Sequence, residues 1–511
     1  MSVTAQEQVA VVPGESRMLI GGQLVEARSG RQFDNVNPAT EVVLGAVADG
    51  GDEDMDAAIG AARHAFDDTA WGRDHAFRQR CLRQLHDAIV SEQELLRAEL
   101  VAEAGCPVAL TYGPQLDSPL EDGLLWPAQA IDELAWERDL PIGSAFGIRS
   151  WRKVLKEPAG VVGAIVPWNY PFEVTLQKLG QALATGNTVV LKPAPDTPWN
   201  ATRLGRLVAE HTDIPAGVVN VVTTADNAVA EQLVVDPRVD LISFTGSTDV
   251  GRHIMAKGAP SMKRFFLELG GKSAHIVLED ADFASAVPGA AFVCVHAGQG
   301  CAMLTRLLVP RTRYDESIEL LEASFAGLAP GDPTDPGVLH GPQISAKQRD
   351  RVLGFIETGV AEGARLVLGG GRPGHLPKGW YVEPTLFADV TNDMTIAQQE
   401  IFGPVLVVIP FEDDADAVRI ANDSEYGLSG MVTSGSEERA IAAAKQIRSG
   451  TVGVNGGIFY GADAPFGGYK ASGFGRQNGV EGLEQYLETK TLSGPAPADP
   501  DAAGGGSLFG A

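Results

Sequence analysis

Apolar positions along the chain follow two rhythms. Between residues 53 and 113 they recur at helical spacing, as in DAAIGAARHAF and QRCLRQLHDAIVSEQELLRAELVAEAG, which predicts packed amphipathic helices. From residue 160 short β-branched runs take over: VVGAIV (161–166), TVVLK (188–192), GVVNVV (217–222) and VDLISFTGS (239–247). Helical stretches such as ALATG, RLGRLVAEH and GRHIMAKGA lie between or after them. Nearly continuous apolar strands alternating with helices are the pattern of a parallel sheet covered on both faces. A second region of this kind begins near residue 271, with AHIVLED, RLLVP, ARLVLGG and PVLVVIPF as strands and long helical segments after 345 and 436. The expected fold class is α/β, with two doubly wound parallel-sheet units. Residues 141–157 and 485–494 read as extended pieces outside both. The first 15 or so residues read as a loose arm, and 495–511 as a flexible, low-complexity tail.

Composition narrows the functional classes. The 511 residues allow about three domains. With 40 Lys+Arg against 66 Asp+Glu the net charge is −26, which opposes binding to nucleic acid or an anionic membrane. No apolar run approaches the roughly 18 residues of a membrane span, and the N-terminus lacks the basic start and apolar core of a secretory signal. A cytoplasmic protein is expected. Four cysteines, Cys81, Cys106, Cys294 and Cys301, are too few for a disulfide scaffold and show no metal-ligand spacing. Cys81 and Cys106 fall in the helical region and read as packing.

Candidate chemistry clusters at the ends of the predicted strands. The strand ending in FTGS runs into a helix flanked by Gly246 and Gly251, with Ser247 and Thr248 able to cap it. Such a helix N-terminus can receive a pyrophosphate, although the sequence is not a GxGxxG fingerprint. Lys192 ends TVVLK and would face the ligand crevice, where it could bond ribose hydroxyls. The nearby Asp196 argues for NAD over NADP. In PWNYPF (167–172), Asn169 is held between two prolines and offers its amide as an oxyanion donor. In ELGGKS (268–273), Glu268 follows an apolar run, where a carboxylate acquires a raised pKa and can serve as a base. In GQGC, glycines leave Cys301 uncrowded and available as a nucleophile. His296 allows a Cys–His pair, but no further triad member is visible and a structural role is expected of it.

Taken in order, PWNYPF, LKPAPDTP, FTGS, ELGGKS, GQGC, EIFGPV (400–405) and PFGGYKASGFGR (465–476) resemble the NAD(P)-dependent aldehyde dehydrogenase superfamily, from about residue 18 to about 494. The resemblance implies an NAD(P)-binding domain at 18–140 and 158–270, a catalytic domain at 271–470, oligomerisation or bridging segments at 141–157 and 471–494, an N-terminal arm at 1–17 and a tail at 495–511. It implies that Cys301 attacks an aldehyde to give a thiohemiacetal, with Asn169 and the Cys301 N–H holding the oxyanion. Hydride loss leaves a thioester, which Glu268 hydrolyses through water. The cofactor would be NAD, with NADP possible, contacted by Lys192, Trp168, Gly246, Ser247, Glu400 and Phe402. Cys294 would be packing. A homodimer or homotetramer is implied.

Two positions depart from the family pattern. Pro195 stands where many NAD-using members have a ribose-binding glutamate, and Gln477 where many have a glutamate after the arginine. The resemblance also places Tyr170, Val174, Gln177, Met303, Tyr460 and Phe466 along the substrate tunnel. That lining predicts an uncharged aliphatic, terpenoid or aromatic aldehyde. Rival readings are a CoA-acylating member, which typically lacks the ELGG glutamate, a non-catalytic structural protein on the same fold, and a cofactor-free cysteine hydrolase.

Overall fold

The computed structural model describes residues 14–146 and 148–497. Residues 1–13 of the expected arm and 498–511 of the expected tail lie outside the described residues.

The first parallel sheet is built from β1 (Val161–Ile165), β2 (Thr188–Lys192), β3 (Val219–Val221), β4 (Leu241–Thr245) and β5 (Arg264–Glu268). Their spatial order is β5-β4-β1-β2-β3, all parallel. Side chains alternate between two cores. Val162, Ala164, Val189 and Leu191 enter one, while Val161, Val190, Ile242 and Leu267 enter the other. This two-sided burial explains why the runs carry no polar period. The chain builds outward from β1 through β2 to β3, then returns to place β4 on the other side of β1. The order reverses between β1 and β4, and ligands of open α/β sheets bind outside the carboxyl ends of strands at such a point. Helices α1 (Pro171–Ala184), α2 (Trp199–His211) and α3 (Thr248–Gly258) follow β1, β2 and β4.

The second sheet contains β6 (Ala274–Val277), β7 (Arg306–Pro310), β8 (Thr385–Ala388), β9 (Val405–Phe411) and β10 (Gly430–Thr433) in the order β8-β9-β7-β6-β10, again parallel and buried on both faces. Helix α4 (Ala346–Ala361) packs on it. Gly270 and Gly271 lie in the short link between β5 of one sheet and β6 of the other.

The sheets are less uniform than the apolar runs imply. Met18–Ile20, Gln23–Val25 and Gly473–Phe474 add antiparallel edges to the first, and Arg365–Leu368 adds one to the second. Gly473–Phe474 therefore belongs to the first sheet rather than to a bridging segment spanning 471–494. A third, antiparallel sheet joins Glu137–Ala145, Ile148–Pro158 and Leu487–Pro495. It begins at 137, earlier than expected from the sequence. Ile142, Ile148, Trp151 and Leu492 stand exposed on it. Among the described residues no helix is long and apolar enough to cross a membrane, and no cluster of metal-ligating side chains occurs.

Candidate active site

The carboxyl edge of the first sheet collects the candidate residues. Strand register sets Ile165 beside Lys192 and Thr245 beside Glu268, so the segments leaving β1, β2, β4 and β5 emerge together. The loop before β7 carries Cys301, and the loop before β9 carries Glu400 and Phe402. The two sheets thus face one cleft with opposite edges.

Cys301 follows an unusual turn. His296, Ala297 and Gly298 take positive φ in succession (51°, 53° and 74°), which reverses the chain ahead of GQGC. Such a run in non-glycine residues is costly and is held by its surroundings. Gly271 packs on the Cys301 backbone: a Cβ there would sit 2.6 Å from the Cys301 carbonyl oxygen. Burial pushes the Cys301 thiol well above its ordinary pKa, and Glu268, Glu400 and Glu173 push it further. Cys294 is fully buried among apolar side chains of the second sheet, in keeping with packing.

Asn169 leaves β1 just before α1, whose first residue is Pro171. A proline there costs no hydrogen bond and fixes the approach of the chain. Asn169 is held from two sides through its carbonyl oxygen, which accepts from Gln115 Nε2 at 2.9 Å and from His296 Nε2 at 2.8 Å. Its amide Nδ2 donates to the Gln299 carbonyl at 2.9 Å, two residues before Cys301. Gln299 in turn accepts from the Ile344 N–H and donates to the His296 and Pro342 carbonyls. His296 therefore positions Asn169, and burial lowers its pKa to about 4.

Glu268 ends β5 fully enclosed, and neither carboxylate oxygen has a hydrogen-bond partner among the described residues. Burial raises its pKa to about 8, opposed by Lys178 and Arg476. Lys178, on α1, is itself lowered to about 7 by burial. It donates to Ser243 Oγ at 3.0 Å, and that hydroxyl meets Tyr486 Oη at 2.9 Å. Lys178 escaped the sequence reading because a helix-borne lysine gives no sign that it points inward.

The cofactor candidates line the same edge. Lys192 is buried, makes no hydrogen bond through Nζ among the described residues, and is lowered to about 8 by burial, with Asp196 opposing. Gly246 leads into α3, and Ser247 accepts the Val250 N–H as its cap. A Cβ on Gly246 would lie 2.5 Å from the Phe244 ring, so only glycine leaves the entry to this helix open. Glu400 accepts the Gly271 N–H at 2.9 Å, and burial raises it to about 7. Phe402, with φ of 59°, meets Trp168 edge-on at 5.3 Å. A buried unpartnered cation, an open helix N-terminus and a carboxylate fixed beside an aromatic pair fit a dinucleotide with ribose hydroxyls and a flat ring.

The tunnel candidates divide. Tyr170, Val174 and Gln177 share one face of α1, and Tyr460 stacks on Phe466 at 5.3 Å. The Tyr170 ring meets the His296 ring edge-on at 5.5 Å, five residues before Cys301. Met303 turns toward Gly300 and the core of the second sheet. Gln477 donates to the Gln177 carbonyl at 3.1 Å and its own carbonyl accepts the Phe466 N–H at 2.7 Å, which ties α1 to the Phe466 segment.

The sequence profile of the aldehyde dehydrogenase family matches residues 24–492. The chain is 42% identical to the 3-succinoylsemialdehyde-pyridine dehydrogenase of a Pseudomonas species, over 93% of this chain and 98% of that one. It is 41% identical to a Mycobacterium tuberculosis aldehyde dehydrogenase solved with NAD+, with a TM-score of 0.90, covering 95% of this chain and 99% of that one. A Pseudomonas syringae aldehyde dehydrogenase, a cysteine-to-alanine mutant solved with NAD+ and octanal, is 36% identical with a TM-score of 0.90, covering 95% and 98%.

Proposed function

Because this chain belongs to the aldehyde dehydrogenase family, we propose that it oxidises an aldehyde with an aliphatic or aromatic body to the carboxylate, with NAD+ as oxidant, Cys301 as nucleophile and Glu268 as base. The observation that carries this reading is the convergence of Cys301, Asn169 and the unpartnered carboxylate of Glu268 at one edge of the first sheet. When bound, NAD+ supplies a hydride acceptor. Lys192 and Asp196 would hold the adenosine ribose, the N-terminus of α3 with Gly246 and Ser247 the pyrophosphate, and Glu400, Phe402 and Trp168 the nicotinamide end. Asp196, next to Pro195, provides the carboxylate that the expected position lacks.

The chemistry on the protein begins with a protonated thiol. Glu268 accepts that proton as the sulfur adds to the carbonyl carbon, and the new oxyanion is received by Asn169 Nδ2 and the Cys301 N–H. Loss of hydride from the substrate carbon leaves a thioester on Cys301. Glu268 then gives the thiol's proton up to solvent and, ionised again, takes a proton from water as the hydroxide adds to the thioester carbon; the C–S bond breaks, and the departing thiolate takes the proton back from Glu268, giving the acid and the thiol. Glu268 favours release to water over release to CoA.

A homodimer or homotetramer is supported by the exposed apolar side chains on the third sheet, which a monomer would leave in water. Four free thiols fit a reducing, cytoplasmic location. The test is reduced-cofactor formation with octanal, using NAD+ or NADP+ and no CoA, beside Cys301→Ala. Turnover lost in the variant supports the reading, whereas turnover surviving it shows that the nucleophile lies elsewhere.

A further inference from the structure

The first turn of α1 carries a carboxylate, Glu173, that the steps above do not use. Tyr170, Glu173, Val174 and Gln177 are three or four residues apart and share a face of the helix. That face is partly open, whereas Phe172, Thr175, Leu176 and Lys178 are buried. Among the described residues Glu173 has one hydrogen-bond partner, Gln177 Nε2, 3.2 Å away and one turn along. This face lies beside the nucleophile's loop and the 459–466 segment: the Tyr170 ring meets that of His296, five residues before Cys301, at 5.5 Å, and Gln477, whose carbonyl accepts the Phe466 N–H at 2.7 Å, donates to the Gln177 carbonyl at 3.1 Å. Burial, with Asp122 beside it, raises the Glu173 carboxyl to about 8. Asp122 is raised in turn by burial, Glu121 and Asp463. Three elements meet around this space: α1, residues 121–125, where a Cβ on Gly123 would meet Leu176 at 2.8 Å, and residues 459–466. The charged groups acting on Glu173 and Asp122 are all acidic.

The remaining wall is aromatic, with Tyr460 stacked on Phe466 and set 4.8 Å from Phe459. With its carboxyl raised to about 8, Glu173 is mostly protonated in the empty protein at neutral pH, and a cation seated beside it would favour the ionised form. Carboxylates and aromatic faces together suit one class of group, a positively charged nitrogen. The geometry points to an aldehyde whose far end carries an amine or quaternary ammonium, held by Glu173 among Tyr170, Tyr460 and Phe466. This rests on the reading of Cys301 as nucleophile. It departs from the uncharged substrate expected of the lining positions, which did not include Glu173.

The test compares 4-(trimethylammonio)butanal with 5,5-dimethylhexanal, the same skeleton with carbon in place of nitrogen, on the full chain with NAD+. The expected result is a kcat/KM for the cation higher by roughly tenfold or more, with the ratio collapsing toward one in Glu173→Gln. Equal or better use of the neutral aldehyde by the unaltered protein overturns the inference and leaves the dehydrogenase reading standing. A ratio unmoved in a folded Glu173→Gln also overturns it. Turnover of neither aldehyde removes both readings.

Discussion

Replacing Glu268 by glutamine tests the proposed base most directly. The change keeps size and shape, and neither oxygen has a hydrogen-bond partner to lose. With the Glu268 carboxyl at about 8, only ~10% is ionised at pH 7 and ~90% at pH 9, the ordinary titration of a single group. A step needing the ionised form therefore rises about tenfold across that range. The variant should lose this rising limb and, at pH 8, run on the order of 10² to 10⁴ slower, the usual worth of a positioned base. Stability should move the other way. Because the folded pKa lies above the ordinary 4.5, the stabilising contribution of the protonated group is full below 4.5 and is lost as pH rises through about 8. Relative to the unfolded chain, ionising the buried group costs at most about 5 kcal/mol. That figure already contains the opposing charge of Lys178. Glutamine removes the cost, so the melting temperature of Glu268→Gln should exceed that of the unaltered protein more at pH 9 than at pH 6. Steady-state rates from pH 6 to 9.5, paired with thermal melts, read both effects. A variant within threefold of the unaltered rate, or one that keeps the rising limb, refutes the assignment.

Cys301→Ala should abolish oxidation, whereas Cys294→Ala should keep kcat within about twofold and lower the melting temperature by a few degrees, the mark of a small core cavity. Asn169→Ala should lower kcat by roughly 10² to 10³, the loss expected of one oxyanion donor, in single-turnover assays at saturating aldehyde. The unaltered protein should prefer NAD+ to NADP+, and Asp196→Asn should reduce that preference about tenfold by removing a carboxylate beside the site of a 2′-phosphate; binding constants from fluorescence titration check this without turnover. Replacing both Ile148 and Trp151 by lysine should lower the oligomeric state measured by light scattering, because both lie exposed on the third sheet.

What the sequence revealed follows from how each element is buried. The strands β1, β2, β4, β6, β7 and β9 are enclosed on both faces, so their apolar runs mark them almost to the residue. The ends of those runs are the sheet edges, and Lys192 and Glu268 sit at them. The pairing of Gly473–Phe474 with Leu267 and Glu268 left no comparable sign, being two residues long and some 200 positions distant. Side-chain direction on α1 was hidden for a different reason. Which face of that helix is buried depends on Gly123, where a Cβ would meet Leu176 at 2.8 Å. That close crossing buries the Leu176 face and leaves Glu173 and Gln177 on the partly open one. No period in the helix's own sequence encodes a neighbour fifty residues away.

The electrostatics around Cys301 separate its proposed role from that of a cysteine hydrolase. Such a hydrolase keeps its thiolate ready through a nearby positive charge, usually an imidazolium. Here the groups acting on the thiol are carboxylates, Glu268, Glu400 and Glu173, and all of them disfavour the thiolate. His296, five residues before Cys301, does not supply the missing charge. Its Nε2 is engaged by the Asn169 carbonyl, its ring packs against Tyr170, and burial holds it neutral. The resting sulfur is therefore a thiol, and it becomes a nucleophile only when a base removes its proton. Glu268 can do so because its own pKa has been raised to about 8, into a range where it exchanges protons near neutrality. In the proposed mechanism, the same enclosure that silences the sulfur thus tunes the base that activates it.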